Sequence, residues 1–257
     1  MDNNMNVFNT YRIIQEWADL PSSGLSEDVE STLAYHDELN PMIWDGLKLK
    51  PEVESKLIDI AHAWATFANI PKNAIEDIIL VGGNANFNYT IFSDLDLHLV
   101  VDKSKIADCP DLLDDYLMGK KQLWGLTHHI EIFGQPVELY AQDKDLPLPS
   151  GQGSYSILND KWINEPKRQK VDLKDPLIRQ KVKDMIEKID SLVDNKSDDL
   201  SILRDLKNRI REMRGAAIRR GGEFALENLV FKELRNLGYL SKLSKYIRDI
   251  EDHSLSL

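Results

Sequence analysis

The sequence predicts an α+β fold, with a β-sheet flanked by helices in the first half and a helical domain in the second. Residues 78–81 form an apolar run, and polar and apolar residues alternate from 94 to 99, which is the period of a β-strand. Residues 127–142 form two strand-like runs around Gly134-Gln135-Pro136, which is typical of a hairpin. From residue 176 onward, apolar residues recur at helical spacing instead.

We divide the chain into four segments on these patterns. Residues 1–50 are predicted to hold a helix, ended by Pro21, and an extended segment. Residues 51–145 form the core, which opens on a helix from Pro51 to about Asn69 and contains a second helix from about 110 to 124. Residues 146–175 form a loop-rich crossing segment. Residues 176–257 form the helical domain, with four apolar stripes that indicate core packing.

Composition and charge restrict the class of protein. The 257 residues carry a net charge of −11, but residues 1–150 carry −15 and residues 201–257 carry +4. The acidic total argues against general nucleic-acid binding and leaves room for a local basic face. Cys109 is the single cysteine, which excludes an internal disulfide and favours the cytoplasm. We expect neither a membrane span nor a signal peptide, because the sequence lacks the long apolar run and the basic start that they require.

One stretch, residues 81–102, concentrates the chemistry. Asp94, Asp96 and His98 alternate with leucines, so a strand would direct all three side chains to one face. Neighbouring carboxylates repel each other unless a cation lies between them, and oxygen ligands of this kind suit Mg²⁺. Gly82-Gly83, which follows the apolar run, has no Cβ to keep a phosphate away from the backbone.

The pair Gly82-Gly83 followed by Asp94-Leu95-Asp96-Leu97 resembles the signature of the DNA polymerase β-like nucleotidyltransferase superfamily. The resemblance covers about residues 75–143. The sequence of this stretch is also similar to those of nucleotidyltransferases found in phages and bacteria. It implies a nucleotidyltransferase-type mixed β-sheet, with a third carboxylate on a later strand. Glu138 and Glu131 both lie on the predicted hairpin, and we favour Glu138 because it occupies the second hairpin strand.

The resemblance implies an enzyme that uses two metal ions. Asp94, Asp96 and Glu138 would be its catalytic and metal-binding residues, with two Mg²⁺ ions, or Mn²⁺, as cofactor. The substrate would be a nucleoside triphosphate such as ATP, held at Gly82 and Gly83. A nucleoside monophosphate would pass to an acceptor hydroxyl, and pyrophosphate would leave.

Several further residues have two interpretations each. Asn84 and Ser93 could contact phosphate, or could cap and orient the backbone. His98 could touch a phosphate or the acceptor, or could hydrogen-bond within the sheet. Arg219 and Arg220 could grip the triphosphate or a nucleic-acid backbone, or could be solvated on a helix. Tyr155 and Trp162 could stack on a base, although packing in the core is the more common use.

The sequence leaves the acceptor open among a polynucleotide 3′ end such as RNA, a protein hydroxyl and a small molecule. We expect the helical domain to cover the open side of the site and to bind the triphosphate or the acceptor through Arg219 and Arg220. An alternative function is a catalytically silent nucleotide-binding module, regulatory or interacting, of the same fold. The complete set of acids argues against it, because a site that has lost turnover usually lacks a metal ligand.

Overall fold

The structure, a computed structural model, describes residues 31–107, 109–148 and 151–257. These divide into two compact units. One unit spans Ala34–Val171, and the other comprises Asp172–Leu257 with the described residues that precede Ala34. The predicted helix within residues 1–20 lies outside the described residues.

The first unit is built on a six-stranded mixed sheet. A separate two-stranded ribbon, β1 (Trp44–Asp45) and β2 (Lys48–Leu49), precedes it. The sheet contains β3 (Ile75–Val81), β4 (Leu95–Val101), β5 (Glu131–Ile132), β6 (Gln135–Asp143), β7 (Ser154–Ser156) and β8 (Lys161–Asn164). Its strand order is β5-β6-β4-β3-β7-β8. β4 and β6 are parallel and the other neighbours are antiparallel.

Two helices flank this sheet, α1 (Pro51–Phe67) and α2 (Pro110–Thr127). Parallel strands need a crossover connection, and α2 provides it between β4 and β6. One apolar cluster joins both helices to the sheet face formed by Leu95, Leu97 and Leu99. The opposite face of β4 carries Asp96 and His98, so the alternation in the sequence separates the core from the polar face.

The hairpin differs from its predicted form. Helix α2 continues to Thr127, so β5 keeps only two residues, and the turn lies at Phe133-Gly134 rather than at 134–136. Both turn residues have positive φ, 51° and 78°, as a tight two-residue hairpin requires. Pro136 lies in β6, opposite Glu131 on the edge strand β5.

The segment predicted to be loop-rich, 146–175, contains β7 and β8. Both strands are short, and their Gly- and Ser-containing surroundings hid them from the periodicity argument. Tyr155 on β7 is buried, and the Trp162 ring stacks on Trp44 with centroids 4.8 Å apart. Both aromatic side chains therefore pack within the unit, which is the packing interpretation given above.

The second unit is helical. It contains α3 (Pro176–Asp194), α4 (Leu200–Gly221), α5 (Leu226–Asn236) and α6 (Tyr239–Leu255). Asp175 and Asp199 cap α3 and α4, because each carboxylate accepts a hydrogen bond from a backbone N–H of the first turn. Gly238, at φ 79°, makes the sharp turn from α5 into α6. The helices bury two adjoining apolar clusters, one of which contains Ile186 and the other Ile189.

The prediction of a mixed sheet flanked by helices and followed by a helical part is thus confirmed. Across the part of the chain that the structure describes, every helix is too short or too polar to cross a membrane.

We expect the sheet core to dominate the stability of the first unit. Leu97 is fully buried, so Leu97→Ala should lower the free energy of unfolding by about 2–5 kcal/mol, through lost burial and the cavity left behind. Leu126, 79% exposed on α2, provides the control, and Leu126→Ala should change it by less than about 0.5 kcal/mol. Urea unfolding measures both variants, and equal effects would contradict the assignment of the core.

Candidate active site

Three carboxylates meet on the polar face of the sheet. Asp94 lies just before β4, Asp96 lies on β4, and Glu138 lies on β6. Each offers one oxygen, and these oxygens all lie within 4.8 Å of one another. The two aspartates are half-buried and Glu138 is exposed, so the group opens to solvent.

The parallel pairing of β4 with β6 produces this arrangement. Asp96 lies directly opposite Glu138 in the register, and opposed residues share one face of a sheet. Glu131, the other candidate for the third carboxylate, lies on the edge strand β5 and is not part of the group. The structure therefore brings together the three acids that the sequence analysis favoured.

The glycine turn lies against one of these carboxylates. Gly82 follows the last residue of β3, Val81, which pairs with Asp96. A Cβ on Gly82 would lie 1.7 Å from Oδ2 of Asp96, and φ of Gly82 is +78°. Any other residue would meet both a collision and a strained backbone. Gly82 is therefore needed for the Asp96 carboxylate to rest on the backbone of the turn.

Buried amides hold the turn and the acids in register. The Asn84 side chain is fully buried; its Nδ2 donates to the carbonyl of Asp94 at 2.8 Å, and its Oδ1 accepts from Asn40 at 2.9 Å. The Trp44 indole donates to the Asn84 carbonyl at 2.7 Å. Since a buried amide without partners costs about 1–3 kcal/mol, this network fixes the backbone of Asp94. Asn84 thus acts as a brace, as in the second interpretation given above.

Two further contacts fasten the same turn. Asn86 Nδ2 donates to the Gly82 carbonyl at 2.7 Å, and Asn86 Oδ1 accepts from the N–H of Gly153 at 2.8 Å. Gly153 approaches so closely that a Cβ there would lie 1.9 Å from the carbonyl oxygen of Ala85. The buried Ser93 hydroxyl accepts from the N–H of Thr90 at 2.9 Å. Ser93 therefore shapes the loop that delivers Asp94.

Sequence reasoning missed Asn40, Gln135 and Gly153 as supports of the site. Asn40 Nδ2 also donates to Gln135 Oε1 at 3.2 Å, which extends the amide network to β6. These residues lie far from the motif along the chain. The sequence carries no signal for them, because Asn, Gln and Gly are common in exposed loops and their burial here depends on the tertiary structure.

His98 lies two residues beyond Asp96 on the same face. Its Nδ1 is 2.8 Å from Oε1 of Gln142, and Gln142 Nε2 donates to the Leu146 carbonyl. That second bond orients the amide, so Nδ1 of His98 carries the proton. Burial is the main cause that lowers the pKa of His98, so the ring is neutral near pH 7. The ring also meets Tyr140 edge-on, with centroids 5.2 Å apart. His98 therefore both hydrogen-bonds and packs within the sheet.

Arg219 and Arg220 lie elsewhere in the chain, in the last turn of α4 in the second unit. Both are exposed, and Arg220 Nε donates to the carbonyl of Ala216 at 3.3 Å. Cations at this end of a helix interact favourably with its dipole. Their role in phosphate binding stays a prediction.

No protein-family model matches the chain, and a comparison with curated proteins finds no match. Among solved structures, the chain is similar to the STING-associated CdnE c-di-GMP synthase from Capnocytophaga granulosa. The two are 14% identical, the match covers 80% of this chain and 83% of that chain, and the TM-score is 0.21. At that TM-score the likeness supports no inference about the function of this chain, and the chemistry of the site is inferred from its own residues.

Gly82→Ala should destabilise the first unit by about 1–3 kcal/mol, because the new Cβ would displace Asp96 and the backbone conformation is unfavourable. Gly119→Ala is the matched control, since it lies in α2 with no atom within 4 Å of the new Cβ. That change should stabilise the protein by about 0.5–1 kcal/mol through helix propensity. Urea unfolding compares the two, and a neutral Gly82→Ala would disprove the close contact with Asp96.

Proposed function

We propose that the protein is a metal-dependent nucleotidyltransferase, which moves a nucleoside monophosphate from a nucleoside triphosphate to an acceptor hydroxyl. The observation that carries the proposal is the group of three carboxylates within 4.8 Å, one of them seated against the Gly82 turn. A catalytic role explains why the fold tolerates three acids in mutual repulsion beside a backbone that only glycine can form.

The donor set fits Mg²⁺ or Mn²⁺. Hard divalent cations prefer oxygen ligands, and Asp94, Asp96 and Glu138 offer carboxylate oxygens from rigid neighbouring backbone. We assign these residues as the metal ligands, for the two ions that the resemblance implies. When bound, such ions neutralise charge on the phosphates and on the attacking and leaving oxygens.

The remaining chemistry belongs to residues of the chain. We assign binding of the nucleoside triphosphate to the backbone of the turn at Gly82 and Gly83, as the resemblance implies, beside the Asp96 carboxylate that occupies the position of a Cβ on Gly82. Asn84 and Asn86 hold that turn in place, which lowers the cost of ordering it when the substrate binds.

Glu138 is the group we assign to the acceptor side. It is the exposed member of the three, so an acceptor hydroxyl can reach it from solvent. As the hydroxyl oxygen bonds to the α-phosphorus, the bond to the β-phosphate oxygen breaks, pyrophosphate leaves, and Glu138 takes the hydroxyl proton. Lys121 Nζ lies 3.4 Å from Glu138 Oε2, so the two side chains form an ion pair at the open edge of the group.

The acceptor is tested by supplying candidates directly. The protein is incubated with Mg²⁺, with each of four labelled nucleoside triphosphates, and with total RNA, total protein or small hydroxyl compounds. We expect pyrophosphate release and label transfer to one class. Binding of a triphosphate without release under every condition would instead identify the silent nucleotide-binding module.

Replacing Asp96 should separate activity from stability. Asp96→Asn removes a metal ligand and one repelling charge, so we expect turnover to fall by at least about a thousandfold while the melting temperature holds or rises. Mg²⁺ should stabilise the wild type against thermal unfolding and should not stabilise the variant. Pyrophosphate release at the wild-type rate would refute the metal assignment.

The two hairpin acids form a matched pair of variants. Glu138→Gln should lower kcat by about a hundredfold or more with little change in triphosphate affinity, because this carboxylate serves the acceptor side. Glu131→Gln, on the edge strand outside the group, should change kcat by less than about twofold. Steady-state kinetics distinguish them, and the reverse order of effects would reassign the third carboxylate.

A further inference from the structure

A cleft in the second unit gathers positive charge in a chain that is acidic overall. It lies between α4 and α6 and has a volume of about 420 Å³. Four of its lining residues are cations, Arg204, Lys207 and Arg211 from α4 and Arg248 from α6. Glu251 is the one carboxylate among the residues that line it, so its lining carries a net charge of +3.

Helix packing explains why the cations converge. Residues 204, 207 and 211 follow a helical repeat, so they lie along one side of α4. Leu203 and Ile210 on α4 are buried in one apolar cluster with Leu243 and Ile247 of α6. The buried seam holds the two helices together, and the basic side chains border it.

One ion pair already neutralises part of the positive charge of the cleft. Arg204 donates from Nε and Nη2 to Glu251 Oε1, at 3.1 and 2.6 Å, so these two charges neutralise each other. Lys207 and Arg211 stand four residues apart on one helix, and like charges at that spacing are destabilising. With Arg248 they form a cluster of like charge, whose repulsion an anionic ligand would relieve.

The neighbouring arginine on the same helix is used differently. Arg214 Nε donates to Asn228 Oδ1, and its guanidinium lies 4.5 Å from the centroid of the Phe231 ring. It packs against α5 and does not line the cleft. With Arg204 paired to Glu251, Lys207 and Arg211 are the cations of α4 in the cleft that a ligand can use, about 6 Å apart at the helical rise, which exceeds the width of a single phosphate group.

We propose that this cleft binds the sugar–phosphate backbone of a nucleic-acid strand. One guanidinium group can donate two parallel hydrogen bonds to the oxygens of a phosphate. Asn208 and Ser244 add hydrogen-bond donors in the same lining. None of the eight residues that line the cleft is aromatic, so bases have no stacking platform and recognition is independent of sequence. The cleft lies wholly within the second unit, and the inference does not depend on the proposed function.

Binding is measured with the full chain and a fluorescein-labelled single-stranded RNA of mixed sequence. Divalent cations are left out, so that the carboxylate group takes no part. Fluorescence anisotropy gives the affinity at a series of salt concentrations. With three phosphates neutralised, the logarithm of the association constant should fall with the logarithm of salt at a slope of about −2.

Two charge-matched double variants locate the binding. Arg211→Glu with Arg248→Glu reverses two cations of the cleft. Arg209→Glu with Lys245→Glu makes the same change in net charge on the same two helices, at exposed residues outside the cleft. We expect the cleft variant to bind the RNA at least about tenfold more weakly with a shallower salt slope, and the control to bind within about twofold of the wild type.

Circular dichroism establishes that each variant keeps its helices, and Arg248→Gln supplies a milder change if the double reversal does not fold. That single variant should still weaken binding and reduce the slope by about 0.7. Equal losses in the cleft and control variants would overturn the proposal, as would no binding by the wild type. Tripolyphosphate that binds as tightly as the RNA would identify a small anion as the ligand instead.

Discussion

The repulsion among three carboxylates is the constraint on which the rest of the first unit depends. Asp94, Asp96 and Glu138 approach within 4.8 Å because β4 pairs with β6 in parallel and places two of them opposite each other. Like charges directly opposite each other on paired strands destabilise that pairing. Here the reverse faces of the same strands carry Leu97, Leu99 and Leu139, all buried in the apolar cluster under α1 and α2. Burial on one face thus stabilises a charged arrangement on the other.

Precision at the carboxylates comes from contacts that contain no charge. Gly82 lets the Asp96 carboxylate rest on the backbone, and Asn84 fixes the carbonyl of Asp94. Asn40 and Trp44 then connect the turn to the segment before α1, far away along the chain. A set of fully bonded buried amides is rigid because any shift leaves a polar group unpaired. Such rigidity is what a site needs if it is to place phosphates and an acceptor without reorganisation.

The two units hold sites of opposite charge. The first holds the acidic group, whereas the second holds a cleft lined by four cations and one carboxylate, of which one cation is ion-paired with that carboxylate. Metal binding at the acidic site requires divalent cations, whereas binding of a phosphate backbone in the basic cleft requires none and weakens as salt rises. The properties can therefore be measured independently, and the acceptor of the proposed reaction need not be the strand that occupies the cleft.

The sequence by itself determined the strands that carry the acids, the glycine turn and the helical nature of residues 176–257, because these features depend on local periodicity and on residue types at short spacing. The preference for Glu138 as the third carboxylate came from the family resemblance, since the pattern alone offered Glu131 as well. Only the tertiary structure decided that Asp96 opposes Glu138, that Asn84 braces the backbone instead of facing solvent, and that β7 and β8 extend the sheet. The basic cleft has the same origin, because Arg211 and Arg248 lie on helices that meet only when their apolar seams pack. Contacts of this kind join residues far apart along the chain, and neither periodicity nor composition records which distant partner a side chain will meet.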